Sequence, residues 1–196
     1  MRTLFPLLLV VAAVLSACAT RPSENTTLKQ HDLGLPPAAG SARTAVPLRR
    51  VEVVAAPVLT GQTMQYRYAA DQTTRRLSYA DSRWSATPPQ LVEAQLSRML
   101  IEGSSSSRCK LSVRLDEFVQ VFAHDGSGEG YAAGSYRLIG DRADEVLAQQ
   151  AFELHQPAPT ADAAGGALAL RGVTAAMAKD AARWLDSVDT RRCTAG

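Results

Sequence analysis

The chain has 196 residues with 21 Lys and Arg against 19 Asp and Glu, a formal net charge of +2. So even a balance argues against a nucleic-acid binder, which needs a basic stripe, and against a polybasic membrane patch. The length suits one domain with a true core.

The first segment is a targeting signal. Met1 and Arg2 lead into an uncharged apolar run from Leu4 to Leu15 that closes on Leu15-Ser16-Ala17-Cys18. Such a run fits the ~7–15 residues of a signal core and falls short of the roughly 20 that span a bilayer. Small residues at 16 and 17 admit a peptidase, and the Cys18 thiol is the nucleophile that takes up diacylglycerol. We therefore expect residues 1–17 to be a lipoprotein signal peptide and Cys18 the lipidated N-terminus. The competing reading is an ordinary secretory signal with an incidental cysteine. Several acyl chains on one cysteine anchor stably where one does not. Ala19, in place of the aspartate that retains enterobacterial lipoproteins, points to the outer membrane, periplasmic face. Signal removal leaves 196 − 17 = 179 residues with no second apolar run of membrane-spanning length.

Two further cysteines, Cys109 and Cys193, pair most simply as a disulfide in an oxidising periplasm. Free buried thiols remain an alternative. A metal site is disfavoured, because neither cysteine stands in CxxC or CxxH spacing.

Residues 18–47 are polar and interrupted by Pro22, Gly34, Pro36, Pro37 and Gly40, which reads as a flexible tether. Within it, His31-Asp32-Leu33-Gly34 is an island able to pair as an edge strand. The domain is expected over 48–193. Val51 to Ala56, Met64 to Tyr68 and Arg75 to Ala80 read as strands in a hairpin or meander. Pro88-Pro89 opens a helix with Val92, Leu96, Met99 and Leu100 on one face, and Gly103 stops it. Lys110 to Phe122 is a long strand. Its apolar residues alternate up to Asp116-Glu117 and then fall on both parities, which predicts a bulge or burial on both faces. Strands follow over Tyr131 to Ile139 and Glu145 to Leu154, with a turn at 126–130. A final helix from about Ala167 to Val188 carries the stripe Val173, Met177, Ala181, Trp184, Leu185 and Val188. The order implies an α+β single domain: a mostly antiparallel sheet with two helices packed on it.

Sites of chemistry are scarce. His31, His124 and His155 are scattered, the serines lack a G-x-S-x-G elbow, and the glycine run lacks a phosphate loop's lysine. Neighbours on a strand point to opposite faces, so Asp116 and Glu117 should not share a substrate. We expect no enzyme activity, catalytic residue, metal or cofactor. Tyr79, Arg83 and Trp84 form a candidate partner-facing patch, since such residues are enriched in interface hot spots. Equally, Trp84 can wedge the helix start against the sheet, and sequence leaves both readings open.

In order, the H-D-L-G island, V-E-V-V-A-A-P-V-L-T-G, Q-Y-R-Y, Y-A-D-S-R-W-S-A-T-P-P-Q-L-V, C-K-L-S-V-R-L-D-E-F-V-Q-V-F and a last helix ending R-W-L resemble the ABC-type transport auxiliary lipoprotein family. The likeness runs from about His31 to Leu185. It implies a non-catalytic subunit encoded with an ABC permease, an ATPase and a periplasmic mammalian-cell-entry (MCE) protein. The subunit would be a homo-oligomer supporting lipid or organic-solvent transport between the inner and outer membranes. A structural or assembly lipoprotein of the outer membrane, not tied to a transporter, is the alternative.

Overall fold

The structure, a computed structural model, describes residues 27–35, 37–69, 74–101, 107–142, 145–189 and 191–193. Residues 1–17 and Cys18 lie outside them. Seven strands form one sheet: β1 (Lys29–His31), β2 (Arg50–Ala55), β3 (Thr63–Tyr68), β4 (Leu77–Trp84), β5 (Lys110–Phe122), β6 (Gly128–Ile139) and β7 (Val146–Pro157). Two helices, α1 (Pro88–Leu100) and α2 (Ala163–Asp186), pack against it. No helix among the described residues is long and apolar enough to cross a membrane.

Strand β5 organises the sheet. Its 13 residues span about 43 Å at roughly 3.3 Å each, twice the length of a six-residue neighbour. Two such neighbours follow one another along one edge. β2 pairs with Lys110 to Leu115 and β3 with Gln120 to Phe122, both in parallel, while β6 covers the other edge antiparallel. The order is β1-β4-β3-β5-β6-β7, with β2 beside β5. The α+β arrangement of two helices on one sheet is as expected; the sheet is mixed, its long ladders β5–β6 and β6–β7 antiparallel and its shorter additions at β1, β2 and β3–β5 parallel. Of the expected hairpin or meander, β3 and β4 form the hairpin, while β2 does not join them: a 3-10 turn at Pro57–Leu59 redirects the chain and β2 pairs with β5 instead.

The predicted bulge lies between Leu115 and Glu117. Leu111, Val113 and Leu115 before it, and Phe118 after it, all face the helices and are buried. Val119, 0 % exposed, is buried on the opposite face beside Tyr131, so both consequences read from the sequence occur. The extra residue also corrects the expectation for the two carboxylates. Asp116 and Glu117 both lie between helix-facing residues and reach the open face, where separate arginines hold them. Arg114 donates to Asp116 at 2.8 Å, and Arg76 and Arg67 donate to Glu117 at 2.6 and 3.0 Å.

The tether expected over 18–47 also needs correction. From Leu28 onward the chain is part of the fold. Lys29–His31 forms edge strand β1, Leu33 is 1 % exposed, and Ala42 and Val46 are buried. The Gly40 and Ala42 N–H groups donate to the Arg98 and Met99 carbonyls at the end of α1. Composition misleads here because proline and glycine that forbid regular structure do not forbid docking.

α1 begins where Pro88-Pro89 placed it, with the Thr87 N–H donating to Gln90 Oε1 at 3.1 Å, half of a capping box. α2 begins four residues earlier than expected. Asp162 caps it, accepting the Gly165 N–H at 2.8 Å. Val173, Met177, Ala181 and Leu185 are each 0 % exposed on its inner stripe.

Cys109 and Cys193 are joined by a disulfide that closes a loop of 84 residues in sequence separation. On the chain-entropy account such a loop is worth roughly 4–5 kcal/mol. Urea unfolding of the oxidised protein and of Cys109→Ala/Cys193→Ala should differ by several kcal/mol. A difference under about 1 kcal/mol would show that the cross-link does not constrain the unfolded chain.

Candidate docking groove

The groove arises from a slip between β3 and β4. Thr63 faces Arg83 and Gln65 faces Ser78, so two residues of β3 are matched by five of β4. The three extra residues change which parity faces the helices. Tyr79 and Trp84, of opposite parity in sequence, both turn to the helix side, while Arg83 turns away. The patch proposed from Tyr79, Arg83 and Trp84 is therefore not one surface. Trp84 is 2 % exposed, its ring 5.9 Å from Phe118 and its backbone N–H donating to the Gln62 carbonyl. It wedges the approach to α1 against the sheet and is not available to a partner.

Tyr79 sits in an aromatic cluster, 4.8 Å from Tyr66, which in turn meets Tyr68 and Phe122 edge-on. Its hydroxyl donates to Gln120 Oε1 at 2.6 Å. Burial raises the Tyr79 pKa, and neighbouring Tyr66 and Asp162 add to the effect. Gln120 is only 1 % exposed, and its Nε2 has no partner among the described residues. Gln120 also sits against Gly128 and against Gly166 of α2, where a Cβ would collide with it.

β1 lies along the end of β4 in parallel, with Lys29 opposite Ser82, Gln30 opposite Arg83 and His31 opposite Trp84. Between β1, β4 and the start of α2 lie two adjoining cavities that share His31 and Ala164. One, of about 140 Å³, is lined by Lys29, Tyr79, Asp81 and Asp162. The other, of about 380 Å³, is lined by Asp32, Gly34, Leu168 and Arg171. Glycine suits position 34 there through its backbone, since the Arg171 side chain beside it can move aside. Its φ is +73°, and a Cβ would meet the Arg171 guanidinium at 2.9 Å. Lys29 pairs with Asp81 at 3.0 Å, which holds the Asp81 carboxyl below its usual range. Leu168, which lines the larger cavity, is exposed. His31 Nε2 and Arg83 Nε are buried atoms without partners among the described residues.

The recess carries both signs of charge, Lys29 and Arg171 against Asp32, Asp81 and Asp162. Among the described residues no three His, Cys, Asp or Glu side chains converge as a metal would need. Lys29, Asp81, Gln120 and Arg171 were not legible as site residues. Only Asp162 carried a sequence signal, a capping residue ahead of a helix.

No protein-family model matches the chain, and no curated protein matches it. Its architecture is nonetheless shared with solved structures. The crystal structure of protein XCC0632 from Xanthomonas campestris, described as DUF330, aligns with a TM-score of 0.64 at 16% identity, covering 84% of this chain and 96% of that one. The crystal structure of an uncharacterized protein aligns with a TM-score of 0.60 at 14% identity, covering 81% and 99%. These likenesses show the fold.

The cap at the groove's edge gives a pH-dependent prediction. The Gly165 N–H, and then the Thr160 hydroxyl, hold the Asp162 carboxyl below its ordinary pKa. Its contribution is thus present above the unfolded value, near pH 4, and lost as pH falls through the lowered folded value. Asp162→Ala should cost about 1 kcal/mol at pH 7. In urea titrations the gap from wild type should close as the acid limit is approached; a gap constant with pH would refute the cap's charge.

Proposed function

We propose that this chain is the lipid-anchored, non-catalytic auxiliary subunit of an ABC/MCE-type transporter, supporting lipid or organic-solvent movement between the inner and outer membranes. One observation carries the proposal: the sequence segments that resemble the auxiliary lipoproteins meet one another in the fold, on both faces of the sheet. His31 of the island pairs with Trp84, and Leu33 is buried in the same core. Phe118 of D-E-F packs on Trp84, Glu117 beside it binds Arg67 of Q-Y-R-Y, and Pro88-Pro89 starts the helix next to them. Segments that are far apart in sequence thus share one structural purpose, which supports reading them together as one family's framework.

In this account Cys18 carries the acyl chains in the outer membrane, the domain hangs on its periplasmic face as a homo-oligomer, and the MCE protein with its permease and ATPase is the partner. The groove along β1 is the surface we assign to that partner, because it is built from the island and from Tyr79, Asp81 and Ser82 of β4.

Two measurements test the proposal. Radiolabelled palmitate should be incorporated by the wild type and not by Cys18→Ser. Crosslinking in native membranes followed by affinity purification should recover an MCE subunit or its permease. Recovery of outer-membrane barrel proteins alone would overturn the transporter assignment in favour of an assembly lipoprotein.

A further inference from the structure

The N-terminal segment is held in two unlike ways, and the change falls between Asp32 and Leu33. From Leu33 onward the chain is fastened every few residues. Leu33, Ala42, Val46 and Leu48 are buried. Gln95 donates to the Gly34 carbonyl at 3.1 Å and Arg98 to the Pro37 carbonyl at 3.2 Å. The Gly40 and Ala42 N–H groups donate to the Arg98 and Met99 carbonyls, and the Thr44 hydroxyl and Ala45 N–H donate to Asp186 at the end of α2, at 2.8 and 2.7 Å. Lifting this stretch would expose core.

β1 is held far more lightly. No side chain from Leu28 to Asp32 is buried. The ladder to β4 is three residues long and parallel, the weaker pairing geometry per residue. Thr27 and Leu28 do not continue it. The His31 carbonyl accepts the Ser85 N–H at 2.7 Å. The side-chain tie is the Lys29–Asp81 pair at 3.0 Å, whose partners are 66% and 37% exposed, and an ion pair so solvated holds little. Yet the groove needs β1: Lys29 and His31 line its smaller cavity, Gln30 and His31 its larger one.

We propose that β1 is a detachable strap: residues 28–32 leave β4 as a unit while the chain from Leu33 onward stays docked. When the strap is down, the groove is complete. When it is up, the groove loses a wall and five residues join the free chain before the fold, adding roughly 17 Å of reach at full extension. A partner that binds the complete groove binds only the docked state and shifts the equilibrium towards it. Capture of the partner and the shorter reach therefore go together. The added reach rests on the lipidation proposed for Cys18, and the coupling rests on the groove's assignment to a partner; the detachment rests on neither.

Two adjacent amides test the strap. Ser85 donates to His31 of β1, whereas Trp84 donates to Gln62 on the other side of β4. In residue-resolved hydrogen exchange of the full chain in dodecyl maltoside, Ser85 should exchange at least about tenfold slower than a free peptide, yet at least about tenfold faster than Trp84 and Ala42. Lys29→Gln should speed exchange at Ser85 about two- to fivefold, the ratio an exposed ion pair is worth, and leave Ala42 within about twofold. A smaller gap between Ser85 and the other two amides would make β1 part of one cooperative unit and overturn the proposal. Exchange of Ser85 at the free-peptide rate would overturn it too, since no docked strap would exist. So would a Lys29→Gln variant that leaves Ser85 unchanged or speeds Ala42 equally. The same rates are expected in Cys18→Ser, so a failed strap is distinct from a failed anchor, which palmitate incorporation reads.

Discussion

Everything near the candidate groove depends on the burial of Trp84. Two register slips bring it there: three extra residues on β4 turn its ring to the helix side, and one extra residue on β5 keeps Phe118 on that side to receive it. The same residue pairs with His31 of β1, and α1 starts four residues later. Burying an indole of this size contributes several kcal/mol. Its fixed position joins three parts of the chain that otherwise have no reason to meet.

One of those parts bears on the proposed lipid anchor. With the chain docked from Leu28 onward, only the residues between Cys18 and Thr27 separate the proposed lipidation site from the folded domain. Nine residue steps reach about 30 Å at most when fully extended. Under the proposed lipidation, the domain is held within a short distance of the membrane, with β1 and its groove at the point of attachment. A partner bridging the periplasm would then meet a surface whose distance from the membrane is limited by the anchor.

Much of the fold was legible. β5 and its bulge showed as an alternation that broke at Asp116-Glu117, and the inner stripe of α2 showed as helical spacing. Pro88-Pro89 marked the start of α1. The failures have common physical causes. Strand partnership is a long-range choice that local pattern does not encode, so nothing in the Val51 to Ala56 run shows that β2 leaves the β3–β4 hairpin and pairs with β5 some 60 residues away. Gly165 and Gly166 hid the first turn of α2, because glycine is a poor helix former, yet Gly166 is there to let the helix approach Gln120. Buried polar groups such as Gln120 were equally invisible, since a lone glutamine on a strand reads as solvated. The Tyr79–Arg83–Trp84 patch failed for a third reason: parity predicts faces only where the register is unbroken.

The docking of the N-terminal segment is the central claim, since the short anchor and the groove both follow from it. Hydrogen exchange of the full chain, read at the Gly40 and Ala42 amides that donate to the end of α1, tests it most directly. The structure predicts exchange slowed by orders of magnitude relative to an unstructured peptide, as for other amides held by the fold. Exchange at the rate of a free chain would mean that residues 18–47 are a tether after all, and the account would fail with them.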